Sequence, residues 1–563
     1  MLELDCDALG VRLAAASLSD EVRDIIGHQT FDRLRLKTKL FTKEYDDEYN
    51  LLSVEPFFVD VRFSVLPNNV TLVEQYSLKT GAIVQIYKRG TGYIYNIKIP
   101  EMDVSFEQLF TLYEDMEAYS KEGVTGNDFI RRWYEEFGIL EHLLDDPKVL
   151  EINVNPPAYK TSIRLVHDTY QECTSNIYPS DDFLNYLATR LKISTGRPLN
   201  RAQPQLDGEI TVGENRARVA AIIEPFSIFG TGYSIRKHRE HPWTLPLFMK
   251  RKSMNHWFAG LMSLIIAHGR SFLTAGPRGS GKTSLLGSLI LEILPKYRII
   301  TIEDTQELPI HDYKQLGYDI LPLKVRSALL KEGLEMPFDT GLRTSLRLGD
   351  SALIVGEVRS KEATVLYEAM RVGAMSNVVA GTIHADSPYG VYDRVVNDLG
   401  VPKGSFKVTD IIVIQNLIKT TSGLGRERRI MQVTEVLKDW EDKPQFQDLL
   451  TYNPETDELE PTDAFLQGKS VVLQTILKNT QGYTSYKDIM LDIGLRGWAK
   501  ALLVSMANDK DALMEAPVLA DMNGLYARLM DQHDPIKNGP DEFKEAFTAG
   551  LQQIVRKARI EAT

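Results

Sequence analysis

The sequence predicts an α/β protein centred on a parallel sheet with helices on both faces. Three observations carry this expectation. Between residues 253 and about 440, helical patterns alternate with short apolar runs: Ile299-Ile300-Thr301-Ile302, Ala352-Leu353-Ile354-Val355 and Val378-Val379-Ala380-Gly381-Thr382. None of these runs shows the in–out alternation of a half-exposed strand, so both faces are expected to be covered. A glycine-rich turn also joins a strand candidate, Ser271-Phe272-Leu273-Thr274-Ala275, to a helix candidate, Leu285-Leu286-Gly287-Ser288-Leu289-Ile290-Leu291.

The flanks read in order. Residues 56–100 alternate as strands, in Val59-Asp60-Val61-Arg62-Phe63 and Tyr93-Ile94-Tyr95-Asn96-Ile97-Lys98-Ile99, with Arg89-Gly90-Thr91-Gly92 as a hairpin turn. Residues 103–143 have helical spacing at Phe106, Leu109, Phe110 and Tyr113. A second α+β unit follows. Its strand candidates are Val149–Asn155, Thr161–Val166, Arg216–Ile223 and Gly232–Arg236, and Ser180 caps a helix carrying Phe183, Leu184, Leu187 and Leu191. The charged, proline-punctuated stretch Lys237–Pro246 reads as a linker. Beyond Trp440 the chain turns acidic around Asn453-Pro454-Glu455-Thr456-Asp457-Glu458, then helical, with Phe543, Phe547, Leu551 and Ile554 as a packing stripe. The expected plan is a variable N-terminal α+β region (1–110), an α+β domain (111–240), a linker (241–252), the parallel-sheet domain (253–440) and a mostly helical C-terminal region (441–563).

Composition bounds the function. At 563 residues the chain is too long for one core, and roughly three or four domains are expected. A hydrophobic fraction of 43% and a charged fraction of 25% are those of an ordinary globular protein. The net charge of −12 disfavours a general nucleic-acid binder, which needs a basic surface. Two cysteines, Cys6 and Cys173, provide neither a disulfide framework nor a four-thiolate zinc site, which points to a reducing, cytoplasmic compartment. The start, Met1-Leu2-Glu3-Leu4-Asp5-Cys6-Asp7, is acidic and lacks the basic opening of a signal peptide. The apolar stretch Trp257–Ala267 falls short of the ~20 residues that span a bilayer. Membrane association is therefore expected to come through a partner.

The turn itself reads Gly276-Pro277-Arg278-Gly279-Ser280-Gly281-Lys282-Thr283-Ser284, a full match to the phosphate-loop pattern G-x-x-x-x-G-K-[ST]. Glycines let backbone N–H groups turn inward around a polyphosphate, and the positive helix end adds to the attraction. Lys282 is placed to reach the β/γ-phosphates and the Thr283 hydroxyl to bind Mg²⁺. A chance glycine-rich turn is the competing reading. The strand–turn–helix context weighs against it.

Acids that serve such a site collect at the carboxyl ends of neighbouring strands. Glu303-Asp304 follows Thr301-Ile302, with Glu307 one turn on, and Glu357 follows Ala352–Gly356. A carboxylate there can orient or deprotonate water, or hold Mg²⁺ directly or through water. Ordinary loop acids are the alternative, with most force for Glu307. The Mg²⁺-binding aspartate familiar from other phosphate-loop enzymes is missing: Gly356 stands in its place and the acid comes one residue later. Arg343 and Arg347, spaced by four, are expected on one helix face, where guanidinium groups suit charge on a transferred phosphoryl group. Arg218 and Arg236 lie in strands upstream of the linker and can reach a nucleotide across a domain or subunit boundary. His384, closing Gly381-Thr382-Ile383-His384-Ala385-Asp386-Ser387, can sense the γ-phosphate or relay its loss.

Taken in order, five segments resemble the Walker A, aspartate, arginine, atypical Walker B and histidine boxes of the type II/type IV secretion ATPase superfamily. They are Gly276–Ser284, Thr301–Leu308, Leu342–Arg347, Val355-Gly356-Glu357-Val358-Arg359 and Gly381–Ala385. Members power protein secretion, type IV pilus assembly, and archaellum assembly and rotation. The resemblance covers roughly residues 140–440 and extends more weakly to Ser470–Leu503, which is similar to archaeal members. It implies a RecA-like motor domain preceded by a PAS-like α+β domain, assembled as a ring-shaped homo-hexamer that binds ATP and Mg²⁺ between the two. It implies that Lys282 and Thr283 hold phosphate and Mg²⁺, that Glu357 is the catalytic acid, and that Glu303, with Asp304, supports water or metal. Arg218 and Arg236 match the arginines that the preceding domain offers to the γ-phosphate, while Arg343, Arg347 and His384 fall in the family's catalytic boxes.

Partners implied are an integral membrane platform protein and other filament or secretion proteins, met at the inner face of the cell membrane, with no direct nucleic acid. The chain lacks the four-cysteine zinc loop of many bacterial secretion and extension motors, and the Ala-Ile-Arg-Asn-Leu-Ile-Arg-Glu-like motif of retraction motors. Those absences favour an archaeal motor. Residues 1–100 and 505–563 fall outside the pattern and are expected to choose the partner. Three alternatives differ in class: a nucleic-acid-translocating, conjugation-type ATPase; a nucleotide switch that binds without cycling; and a small-molecule kinase, against which the missing lid segment and large flanking domains argue.

Overall fold

The computed structural model describes residues 41–45, 51–56, 58–104, 108–109, 111–112, 115–116, 127–239, 241–325, 336–349, 352–359, 362–373, 378–419 and 426–561. The chain divides into two compact units, Met1–His238 and Arg239–Thr563.

In the first unit, β1 (Phe41–Tyr45) pairs with β2 (Leu51–Pro56), and β3 (Val61–Phe63) with β10 (Ile177–Pro179), both antiparallel. The remaining strands are β4 (Thr71–Ser77), β5 (Ile83–Arg89), β6 (Gly92–Lys98), β7 (Val149–Val154), β8 (Arg164–His167), β9 (Gln171–Ser175), β11 (Gln205–Val212), β12 (Asn215–Ile222) and β13 (Gly232–Lys237). They form one sheet in the order β11-β12-β13-β7-β8-β9-β6-β5-β4. The hairpin at Arg89–Gly92 is present, with Arg89 paired to Gly92 and Gly90 in the left-handed region at φ 58°.

A helix α1 (Ile139–Asp145) precedes β7, and α2 (Asp181–Thr195) follows β10. The Ser180 hydroxyl accepts the Phe183 N–H at 2.8 Å, and Phe183, Leu184, Leu187 and Leu191 are all buried. Of the residues that suggested a helix after 103, Phe106, Phe110 and Tyr113 lie outside the described residues. The expected division at 110/111 has no counterpart in the pairing. Strand β6 joins β9 in parallel, Tyr93 beside Cys173, and so carries the hairpin strands into the sheet of the segment that follows.

The second unit begins with a correction. Within the expected linker 241–252, α3 (Leu245–Lys250) is helical and buries Leu245, Leu247 and Phe248. Pro246 sits in its first turn, where a missing N–H costs nothing, and the Thr244 hydroxyl caps it by accepting from Leu247 N. Helix α4 (His256–Ala267) leads into the strands β14 (Phe272–Ala275), β15 (Ile299–Glu303), β16 (Ile320–Lys324), β17 (Ala352–Val355), β18 (Val379–Ile383) and β19 (Ile411–Lys419). Between them lie α5 (Lys282–Ile290), α6 (Phe338–Ser345) and α7 (Glu362–Gly373). The order is β16-β15-β17-β18-β14-β19, all parallel.

Both faces of this sheet are covered, as the unalternating runs required. Phe272, Ile299, Ala352, Ile354 and Ala380 face one core, while Leu273, Ile300, Ile302, Leu353 and Val379 face the other. A second correction concerns residues 441–563. The sheet continues antiparallel through β20 (Arg426–Val436), β21 (Phe446–Asn453) and β22 (Glu458–Pro461) before the chain becomes helical. The acidic stretch 453–458 is the turn of the β21–β22 hairpin, not a boundary.

The tail helices are α8 (Val471–Asn479), α9 (Tyr486–Ala507), α10 (Ala516–His533) and α11 (Asp541–Glu561). Phe543, Phe547 and Leu551 are buried in the same core as Phe272 and Ile299, so tail and sheet share one interior. Helices α4 and α9 meet backbone to backbone. A Cβ on Gly260 would lie 2.1 Å from the Ile493 carbonyl oxygen, and one on Gly497 would lie 2.3 Å from that of His256. By contrast, a Cβ on Gly494 would meet nothing within 4 Å. Gly497→Ala is therefore expected to destabilise the protein by about 1–3 kcal/mol through overpacking. Gly494→Ala, in the same helix, should stabilise it by roughly 0.5–1 kcal/mol. Equal melting shifts for the two would show that the helices can separate freely.

Candidate functional site

Register brings four chain segments to one edge of the parallel sheet. Ala275 pairs with Ile383, Ile302 with Val355, and Val355 with Gly381. Gly276, Glu303, Glu357 and His384 thus stand at or just past adjacent strand ends at a common level, where an open α/β sheet places its ligands.

The turn after β14 can only be built of glycine at key points. Gly279 and Gly281 lie in the left-handed region at φ 79° and 96°. A Cβ on Gly276 would come within 2.0 Å of the Gln415 carbonyl oxygen, since β19 presses against the loop from behind. Lys282 opens α5 and is nearly buried, its Nζ donating to the Pro277 carbonyl at 2.9 Å and lying 3.3 Å from His384 Nδ1. Thr283 is partly buried beside it.

His384 links this lysine to the acid of the neighbouring strand. Its Nε2 lies 3.0 Å from Glu357 Oε1. The other oxygen of Glu357, Oε2, accepts from Arg359, whose Nη1 donates to Asp304 Oδ2 at 3.1 Å. Burial pushes the Glu357 carboxyl up, but the Arg359 hydrogen bond and charge, with His384 and Lys282, outweigh it and hold it below the usual range. Burial and the Lys282 charge lower the His384 imidazole. Hydrogen bonding to Glu357, with the charges of Asp304 and Glu357, raises Arg359. A charged carboxylate with one oxygen clamped and the other turned toward an imidazole is suited to accept a proton from water.

Glu303 has a different character. It is 4% exposed, and its Oε1 accepts the N–H groups of Glu307 and Leu308 at 2.9 and 3.1 Å. Burial pushes its carboxyl up to about 8, against the downward pull of those two N–H groups. The structure also explains Gly356. A Cβ there would lie 2.7 Å from Glu303 Cγ, so Glu303 fills the space that a side chain at 356 would need. The Gly356 carbonyl accepts from Thr382 Oγ1 at 2.6 Å, which ties the Glu357 loop to β18.

The arginine candidates have surroundings of their own. Helix α6 ends at Ser345, so Arg347 does not share a helix face with Arg343 as its spacing suggested; the chain turns at Leu346–Leu348. Arg343 is exposed and pairs with Glu368 at 3.4 Å. In the first unit, Arg218 and Arg236 face each other across β12 and β13. Arg218 is held bidentately by Asp207 at 3.2 and 2.7 Å, while Arg236 is exposed.

Two residues have parts that the sequence reading did not assign. Arg359, quoted there in the Val355–Arg359 segment without a role, clamps Glu357. Arg428 on β20 donates its Nε to the Gly279 carbonyl at 3.1 Å, from a strand 149 residues along the chain.

Among the described residues no three His, Cys, Asp or Glu side chains converge as a metal cage. The partly buried Thr283 hydroxyl and the carboxyl groups of Glu303, Asp304 and Glu357 could hold Mg²⁺, whose remaining ligands would be water and the oxygens of a bound phosphate.

The family model described as "Type II/IV secretion system protein" matches residues 147–448, more than half of the chain. An uncharacterized protein of Methanocaldococcus jannaschii is 27% identical over 416 residues, which cover 66% of this chain and 55% of that protein, so the chain spans about half the length of that relative. A Mycobacterium tuberculosis protein, provisionally named for conjugal transfer, is 30% identical over 262 residues, 46% of this chain and 71% of its own. Among solved structures, the Legionella pneumophila ATPase DotB has 16% identity and a TM-score of 0.39, covering 64% of this chain and 94% of that one. So low a structural score carries no argument, and the assignment rests on sequence. The chain belongs to the type II/IV secretion system protein family.

Proposed function

We propose that this chain is an ATP-hydrolysing motor of the secretion type. It works as a homo-hexamer that powers assembly of a type IV pilus-like filament, pilus or archaellum, or related secretion, through an integral membrane platform protein. The observation that carries the catalytic part is the chain Lys282–His384–Glu357, with spacings of 3.3 and 3.0 Å. It joins the group that reads a terminal phosphate to the group that activates water.

In this reading the glycine turn and Lys282 grip the triphosphate. Glu357, oriented by Arg359, takes the proton of the attacking water, and His384 reports to it whether the Lys282 charge is engaged by phosphate. Thr283, Glu303 and Asp304 would hold Mg²⁺, which would supply charge neutralisation on the phosphate oxygens. Arg343 and Arg347 belong to the arginine segment of the same catalytic machinery, and Arg218 and Arg236 serve the γ-phosphate from the unit that precedes the motor. The motor acts at the inner face of the cell membrane. Among the described residues no helix is long and apolar enough to cross a membrane. A conjugation-type reading has one observation in its favour, the name of the Mycobacterium relative. The net charge of −12 speaks against it, and only turnover stimulated by DNA would restore it.

Glu357→Gln should bind ATP and lose turnover by about 10²–10⁴-fold, the usual range for a general base. Phosphate release near the wild-type rate would sink the assignment. Chelation of Mg²⁺ should likewise stop turnover and be reversed by adding the ion back.

The buried Glu303 gives a separate test without nucleotide. Its folded value of about 8 lies above the ordinary 4.5, so its contribution to stability is complete below pH 4.5 and falls as pH rises to about 8. Glu303→Gln lacks this titration. Its stability, followed by thermal melting, should gain on the wild type across that window by a few kcal/mol, at about 1.4 kcal/mol per pKa unit. Parallel pH profiles for the two proteins would contradict it.

A further inference from the structure

The edge of the sheet opposite the phosphate loop holds a cavity of about 640 Å³, within the range of small-molecule sites. Its sheet side is formed by Arg270, just ahead of β14, and by Ala352 and Val378 at the starts of β17 and β18. The opposite wall comes from the tail, through Ile476 of α8, Arg496 and Lys500 of α9, and Ala527 and Met530 of α10. Nothing in the nucleotide chemistry uses it.

The charges around it do not cancel. Lys500 pairs with Glu292 at 2.8 Å, and Arg496 with Asp492 at 2.9 Å while also donating to Ser263 Oγ. Burial, reinforced by the Arg496 charge, brings the His268 imidazole down to about 4, so it is neutral at pH 7. Arg270 is left over. Among the described residues its guanidinium has no hydrogen-bond or ion-pair partner, and its Nε is buried without one. A buried donor in that state is costly unless a ligand answers it. The rest of the wall supplies apolar surface from Ile266, Ile293, Leu294, Tyr297, Ile476 and Met530.

We propose that this cavity is a second ligand site, for a small amphiphilic anion. Its single carboxylate, sulfonate or phosphate group meets Arg270, and its apolar body lies between sheet edge and tail. Because Lys500 and Arg496 are already neutralised in place, the site selects one negative charge and not a polyanion, which separates it chemically from the phosphate loop.

The test uses the full chain with 1-anilinonaphthalene-8-sulfonate, an aromatic body carrying one sulfonate, measured by fluorescence with and without ADP and Mg²⁺. The wild type should bind one probe per chain, with the signal unchanged by ADP. Octyl phosphate should displace the probe, and inorganic phosphate at the same concentration should not. Arg270→Glu should weaken binding about tenfold or more, the worth of a hydrogen bond to a charged group. Ala527→Trp, which fills the cavity from α10, should abolish it. Arg270→Gln, keeping the bulk without the charge, repeats the test should the reversal fail to fold. Binding that survives all these substitutions, that yields equally to inorganic phosphate, or that is displaced by ADP would overturn the proposal. None of these outcomes depends on whether the chain hydrolyses ATP.

Discussion

The end of the sheet that carries the glycine turn depends on the room that Gly356 leaves for Glu303. A carboxyl group this deeply buried needs partners, and it finds them in the N–H groups of Glu307 and Leu308, which folds the loop after β15 back on itself. That loop sets Asp304, which receives Arg359 from the loop after β17, and Arg359 in turn clamps Glu357. The two loops are therefore interlocked through side chains from both, around a residue that has no side chain. An acid at position 356 would collide with Glu303 Cγ. The shift of the acid by one residue and the burial of Glu303 are one adaptation seen from two strands.

The opposite edge is tied to the tail by buried charge. Lys500 and Glu292 are almost wholly buried, yet they pair with each other and with Asn523, which also bonds the Leu291 carbonyl. Asp492 accepts from Tyr483, Tyr526 and Arg496. Apolar residues of equal volume would hold the helices at least as firmly, because desolvation consumes most of what an ion pair returns. What charge adds is direction: α9 satisfies these groups in one register only, the register in which Gly260 and Gly497 also touch the facing backbones. The tail thus shares one interior with the parallel sheet, and it cannot shift along α4 without stranding a buried charge.

These two edges differ in how readable they are from sequence. Strands β14, β15, β17 and β18 are visible there, because a strand covered on both faces must be apolar throughout. Lys282, Glu303, Glu357 and His384 are visible because each follows such a strand closely. The hairpin β21–β22 is hidden, since it lies at the sheet's edge, where Phe446, Gln447 and Asp448 need be only partly buried and its acidic turn mimics a linker. Helix α3 is hidden by Pro246, a breaker in most positions but not in a first turn. Arg347 is misplaced because a spacing of four implies a shared face only while the helix lasts, and α6 stops two residues short.

Arg359, Arg428 and the cavity at Arg270 share a deeper reason for being missed. Each owes its position to segments apart in the chain: Arg359 meets Asp304 from another loop, Arg428 reaches Gly279 across 149 residues, and Arg270 faces helices that begin 200 or more residues later. Local pattern identifies elements and the residues at their ends. It has no term for what two distant elements enclose between them. The unanswered charge of Arg270 has a meaning only once the start of the sheet and the tail helices enclose one cavity, so a site of that kind has to be sought in the packed structure and not in the order of the residues.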